Sequence, residues 1–182
     1  QSRRMGMDKA LLKLNGKALY TYGLELLSGF CEEVLISAPP DLIPEDACPV
    51  IPDEFPGCGP LGGIYSCMKQ ARHSRCLVLS CDMPFMRAEI IQLLLKETKD
   101  NYCVPAGNNG KPEPLAGIYS VKLLGLIRER LDVKDLKIQN LLERTRGKII
   151  KLSEHGLDPG LAFRNMNTPD ELRKANAWIK QQ

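Results

Sequence analysis

A chain of 182 residues, 43% of them hydrophobic, is long enough for one domain with a sizeable core and too short for two full ones. Its 25 basic against 22 acidic residues leave a net charge of +3, which excludes the concentrated basic face of non-specific nucleic-acid binding but allows a local cluster for a small anion. No apolar run approaches a membrane span and the opening residues carry no apolar leader, so a soluble, cytoplasmic protein without membrane or nucleic-acid partners is expected.

In chain order, Gln1 to Gly6 reads as a loop with no strand before it, and a first residue other than methionine predicts that the natural chain begins further upstream. Ala10 to Leu19 holds two short apolar runs around Asn15-Gly16, a hairpin signal. Leu19, Tyr22, Leu26 and Leu27 recur at helical spacing and predict a helix ending near Gly29. Val34 to Ile36 is a compact strand, and a loop rich in proline, glycine and acid from Pro39 to Pro60 leaves room for a short strand at Val50-Ile51. Leu61, Ile64, Tyr65 and Met68 share a helix face. Cys76 to Ser80 reads as a strand buried on both faces of a parallel sheet.

A helix from about Arg87 to Thr98 comes next, then strands at Tyr102 to Val104 and Leu115 to Val121 with a turn at Asn108-Asn109-Gly110. Helices are expected around Leu123 to Leu131 and Leu136 to Leu142, and a strand at Lys148 to Leu152. Thr168-Pro169-Asp170-Glu171 combines a capping threonine, a proline at the first helical position and a glutamate that reaches back, and predicts a helix to about Lys180. Strand and helix alternate, which specifies an α/β protein, a three-layer sandwich around a mainly parallel sheet in a single domain, 1–182.

Seven cysteines, an odd number with no Cys-x-x-Cys pair, read as reduced core thiols, and His73 and His155 as surface residues rather than metal ligands. Chemistry is carried by the loops instead. Arg3, Arg4 and Lys9 surround Gly6 in one short segment, which suits a triphosphate as well as it suits a solvated basic tail. Asp53 opens a loop with Gly57, Gly59, Gly62 and Gly63 at the start of a helix, where free N–H groups suit a phosphate or the edge of a base. Asp82, at the carboxyl end of a central strand in Cys81-Asp82-Met83-Pro84, suits Mg²⁺ shared with substrate phosphates, against the alternative of a helix cap. Gly117, within Pro114-Leu115-Ala116-Gly117, admits either a ligand or a neighbouring strand. Asn165 and Asn167 alternate before the last helix, as ligand-facing amides or as turn formers.

Taken together and in order, these segments resemble the molybdenum cofactor guanylyltransferases (MobA type), nucleotidyltransferases of Rossmann-like fold. The resemblance runs from Ser2-Arg3-Arg4-Met5-Gly6 with Asp8-Lys9, through Gly59-Pro60-Leu61-Gly62-Gly63 and Cys81-Asp82-Met83-Pro84, to Pro114-Leu115-Ala116-Gly117 and Asn165-Met166-Asn167-Thr168-Pro169. It implies transfer of GMP from GTP to molybdopterin with release of pyrophosphate. Its alternatives are a sister enzyme using CTP or another phosphorylated acceptor, and a non-catalytic nucleotide-binding module.

The resemblance also implies roles. Lys9, with Arg3 or Arg4, would meet the triphosphate; Asp53 the nucleoside; Gly59, Pro60 and Leu61 the guanine; Asp82 the magnesium; and Asn165 and Asn167 the pterin. Relatives often carry asparagine near the nucleoside where this chain has Ser37, and the family's Leu-Ala-Gly-Gly loop with its preceding strand would lie upstream of Gln1. Further partners implied are other cofactor-biosynthesis proteins and acceptor molybdoenzymes. No histidine or serine catalytic set is expected, because an attacking phosphate monoester, with a second pKa of about 6, needs no general base at neutral pH.

Overall fold

The computed structural model describes residues 9–44, 48–107, 109–166 and 168–179. A single 3-10 turn, Lys9–Leu11, leads into a hairpin of β1 (Lys13–Leu14) and β2 (Lys17–Ala18). Asn15 and Gly16 take φ of 49° and 79°, the positive pair that a two-residue hairpin turn requires. Helix α1 (Leu19–Ser28) ends at Gly29, and β3 (Ile36–Ser37) pairs in parallel with β4 (Val50–Ile51). Helix α2 (Gly59–Gln70) leads to β5 (Arg75–Leu79), then α3 (Ala88–Glu97), β6 (Tyr102–Ala106) and β7 (Ala116–Ser120). The chain finishes with α4 (Leu124–Asp132), α5 (Ile138–Glu143), β8 (Lys148–Lys151) and α6 (Pro169–Ile179). The Thr168 hydroxyl accepts from the Glu171 amide at 3.2 Å while the Glu171 carboxylate accepts from the Thr168 amide at 2.9 Å, the reciprocal cap expected of that sequence.

The main sheet has the order β5-β7-β6-β8, in which β7 is antiparallel to both neighbours and β6 and β8 are parallel. Strands β5, β6 and β8 therefore run one way and β7 alone opposes them. Side chains alternate cleanly across this sheet. Cys76, Val78, Tyr102, Val104 and Tyr119 face α2, α4 and α5, whereas Leu77, Leu79, Cys103, Ile118 and Ile150 face α3 and the end of α1. The result is the three-layer α/β/α arrangement. Among the described residues one charged side chain lies inside it: Arg130, only 1% exposed, pairs with Asp135 at 2.9 Å and donates to the carbonyls of Asp135 and Lys137.

Two expectations need correction. Strand β5 is half-buried rather than enclosed, because among the described residues it hydrogen-bonds only to β7 and its other edge borders an apolar cavity of about 580 Å³. Val34 and Leu35, expected in a strand, run along the opposite wall of that cavity, and only Ile36–Ser37 pair with β4. Strands β3 and β5 point the same way. At their starts, Arg72 binds Glu33 at 2.8 Å and His73 lies 3.5 Å from Glu32, while at their ends Ala10, Ala38, Ile43 and Cys81 pack together.

Candidate active site

Each acidic residue singled out in the sequence lies just past the carboxyl end of one of these co-directed strands. Asp53 follows β4, Asp82 follows β5, and open α/β sheets place ligand groups at that end. Lys9 approaches from the first turn, its Nζ 3.9 Å from Asp82 Oδ2. Both side chains keep some access to water, at 24% and 15% exposure, so the pair is neither a sealed core ion pair nor a loose surface one. Ser80 Oγ donates to Asp82 Oδ1 at 2.6 Å, which leaves Oδ2 as the oxygen toward Lys9. From the other side the Met166 amide donates to the Asp82 carbonyl at 2.9 Å, which brings Asn165 and the approach to α6 beside the acid.

The second half of the site is built around α2. Ser37 Oγ donates to Asp53 Oδ1 at 2.5 Å. A Cβ on Gly63 would lie 2.5 Å from that same Oγ and 3.4 Å from Oδ1, so only glycine lets the helix approach the pair this closely. The loop between them is pinned from below. The Glu54 amide donates to Ser66 Oγ at 2.8 Å, and the Phe55 ring meets the Tyr65 ring edge-on at 5.3 Å under the Arg128 guanidinium. Gly59 and Pro60 open α2 with no side-chain cap, so the first main-chain N–H groups of the helix are left for another acceptor. Leu61 is different: its side chain is fully buried in the core, and only its main chain is available to a ligand.

Residues next to both halves line one cavity: Ser37, Gly59, Pro60 and Gly63 from the Asp53 half, and Ala10, Ser80 and Cys81 from the Lys9–Asp82 half, with Lys9, Asp53 and Asp82 themselves outside its lining. Asn165 Oδ1 is buried and accepts no hydrogen bond among the described residues. Gly117 turns out to serve a strand, since a Cβ there would strike Val104 Cγ1 at 2.5 Å and the Cys103 carbonyl oxygen at 3.0 Å. Arg3, Arg4 and Asn167 lie outside the described residues. Ser80, which fixes one carboxylate oxygen of Asp82, was missed in the sequence. Its signal was a hydroxyl two residues before an acid at a strand end.

The model of the MobA-like NTP transferase domain matches residues 1–149. The chain belongs to this family. A protein of Geobacillus sp. (strain WCH70) named a probable molybdenum cofactor guanylyltransferase is 34% identical over 179 residues, 94% of this chain and 91% of that protein. The molybdenum cofactor guanylyltransferase of Rhizobium johnstonii is 30% identical, over 99% of this chain and 89% of the relative. Among solved structures, the molybdopterin-guanine dinucleotide biosynthesis protein A of Archaeoglobus fulgidus superposes with a TM-score of 0.78 over 100% of this chain and 95% of its own, at 24% identity. At that identity the superposition speaks for the fold, and the family match carries the membership.

Proposed function

We propose that this MobA-like chain is a GTP-dependent guanylyltransferase of molybdenum cofactor biosynthesis. It transfers GMP to the terminal phosphate of molybdopterin and releases pyrophosphate. One observation carries the reading from geometry to chemistry: Lys9 of the first turn stands 3.9 Å from Asp82 just past β5, while Ser37, which orients Asp53, and Ser80, which orients Asp82, line one cavity. The names of relatives at 30–34% identity support the guanylyl and molybdopterin assignments.

In the reaction an oxygen of the acceptor phosphate forms a bond to the α-phosphorus of GTP, and the bond from that phosphorus to the bridging oxygen breaks. The protein's task is alignment and charge neutralisation. Lys9, with Arg3 and Arg4, holds the triphosphate; Asp53, oriented by Ser37, holds the nucleoside; and the main chain of Gly59 to Leu61 reads the base. Asn165 and Asn167 serve the acceptor, and the buried Oδ1 of Asn165, which accepts no hydrogen bond among the described residues, is an atom suited to a heteroaromatic N–H.

Nucleotidyl transfer of this family runs with a divalent metal, which we assign as Mg²⁺ on Asp82. The donor set fits: a single carboxylate and no cluster of three or more acidic, cysteine or histidine ligands among the described residues suits an ion that takes its other ligands from phosphate and water. Bound there, the metal would offset charge on the phosphates. None of the seven cysteines is in a disulfide, and no helix among the described residues is long and apolar enough to cross a membrane, which is compatible with our placing the reaction in the cytoplasm beside other cofactor-biosynthesis proteins.

The test is formation of the guanine dinucleotide from GTP, Mg²⁺ and molybdopterin, with CTP, UTP and ATP as comparisons. Asp82→Asn keeps the shape and removes the charge. It is expected to fold and to lose at least about a hundredfold in turnover, the scale of losing one pre-organised electrostatic contact. Unchanged turnover in that variant, or a wild-type preference for CTP, would refute the assignment.

A further inference from the structure

Between β6 and β7 the chain makes a tight turn at the same end of the sheet as Asp82. The Gly107 amide donates to the Lys111 carbonyl at 2.8 Å, the Glu113 amide donates to the Pro105 carbonyl at 2.9 Å, and Ala106 bridges Pro112, so Glu113 stands directly opposite Pro105. Residues opposed in this way share a face of the sheet. Pro105 lies two residues beyond Cys103 and in register with Ile150, which puts the Glu113 side chain on the α3 face. The Ala116 amide donates to the Glu113 carbonyl at 3.1 Å, so the main chain of this residue is held on both sides.

Its carboxyl, by contrast, makes no hydrogen bond or ion pair among the described residues. It is half-buried, and burial pushes it up from its ordinary value with no cation or donor to offset the shift. The group lies down on Gly107, where a Cβ would come within 2.6 Å of Oε1 and 3.2 Å of Cγ. A fixed main chain, a glycine that makes room and a carboxyl withdrawn from water without a partner cost stability, and such costs gather where a ligand supplies the missing contact.

A second unsatisfied acceptor belongs to the same face. Ile150 and Leu152 pack with Ala162, and the segment that follows carries Asn165, with its buried Oδ1, to the Met166 amide on the Asp82 carbonyl. The strand order β5-β7-β6 sets Glu113 two strand spacings, about 10 Å, from the strand that ends at Asp82. Ser37 and the start of α2 lie beyond the other edge of β5. Glu113 is therefore on the acceptor's side of Asp82 and not on the nucleoside's. We propose, resting on the guanylyltransferase reading, that Glu113 selects the acceptor: its carboxylate takes the ring N–H and the exocyclic amino group of the pterin's aminopyrimidinone edge. Two parallel N–H donors match the two oxygens of a carboxylate. Guanine carries the same donor pair, and the position of Glu113 across Asp82 from α2 is what assigns it to the pterin.

Direct binding tests the assignment without GTP or metal. The probes are hydroxymethylpterin phosphate, read by its own fluorescence, and the matching lumazine phosphate, in which a carbonyl oxygen replaces the exocyclic amino group. Wild-type protein is expected to bind the pterin at least about tenfold more tightly, because a site built around a donor pair rejects an analogue that lacks it. Glu113→Gln keeps the shape and relieves an unpartnered charge, so its Tm is expected to be unchanged or higher. The same variant is expected to cut the preference for the pterin to less than about twofold and to raise KM for molybdopterin at least about tenfold, with KM for GTP within about twofold. Equal or absent binding of the two probes by the wild type, or a preference that survives Glu113→Gln, overturns the role of Glu113. Guanylyl transfer by the wild type reports separately on the reading beneath it. Dinucleotide formed by a protein that does not discriminate between the probes sinks the Glu113 assignment alone, whereas a wild type that forms no dinucleotide sinks both.

Discussion

Gly63→Ala isolates the Ser37-Asp53 pair without touching either residue. The new methyl would sit 2.5 Å from Ser37 Oγ, about 0.9 Å inside ordinary contact, and 3.0 Å from Ser37 Cβ, so a rotamer change alone does not relieve it. The hydroxyl must leave Asp53. A hydrogen bond to a charged group is worth about 1.5–3 kcal/mol, and the exposure of this one sets the lower end. A loss of about 1.5 kcal/mol lowers Tm by roughly 3–6 °C in a chain of this size. If the orientation of Asp53 is what receives the nucleoside, a similar energy reappears in binding, as a KM for GTP raised about tenfold with kcat within about twofold. Steady-state kinetics beside differential scanning fluorimetry measures both. A lowered Tm with an unchanged KM would mean that the pair braces the fold and does not meet the nucleotide.

Gly125→Ala is the complementary control: the glycine is exposed in α4, an added Cβ meets nothing within 4 Å, and Tm should rise by about 2 °C with no kinetic change. Arg130→Ala leaves Asp135 without its buried partner and empties a fully enclosed site, so it should cost about 3–5 kcal/mol and lower Tm by roughly 10 °C, measured by calorimetry. Burial pushes the Cys67 thiol up from 9.0 to about 12 and Cys76 to about 11. The unfolded chain therefore loses these protons first, and stability falls as pH rises from about 9 toward those values. Cys67→Ala should flatten the decline of Tm between pH 8 and pH 10, and an unchanged slope would refute it.

Elements with local chemical signatures were legible from residue order alone. The Asn15-Gly16 hairpin and the Thr168-Glu171 cap appear where their side chains predicted, because each is fixed by a dihedral or a hydrogen bond within four residues. Strand environment was not. Cys76 to Leu79 is apolar throughout, yet burial depends on what lies at each edge, and a run of leucine and valine does not say that among the described residues one edge alone is paired. The site was legible as residue types and not as an arrangement. Asp53 and Asp82 stood out as acids beside glycine or proline, but nothing in the order of residues told that Ser37 would orient one and Ser80 the other. Gly117 could be read as room for a ligand, and it is room for β6.

The family match ends at residue 149, yet the C-terminal residues past that point help to set the spacing of the charged pair. Met166 holds the Asp82 loop through its amide, and Leu14 of the hairpin next to Lys9 and Leu19 at the start of α1 pack on Met166 and Ala175. Asn176 accepts from the Asn15 amide at 2.6 Å and anchors the same hairpin. The tail thus acts as a clasp that grips the lysine's support with one arm and the aspartate's with the other. A polypeptide shortened to its matched portion would retain Lys9 and Asp82 and lose this common grip on the distance between them.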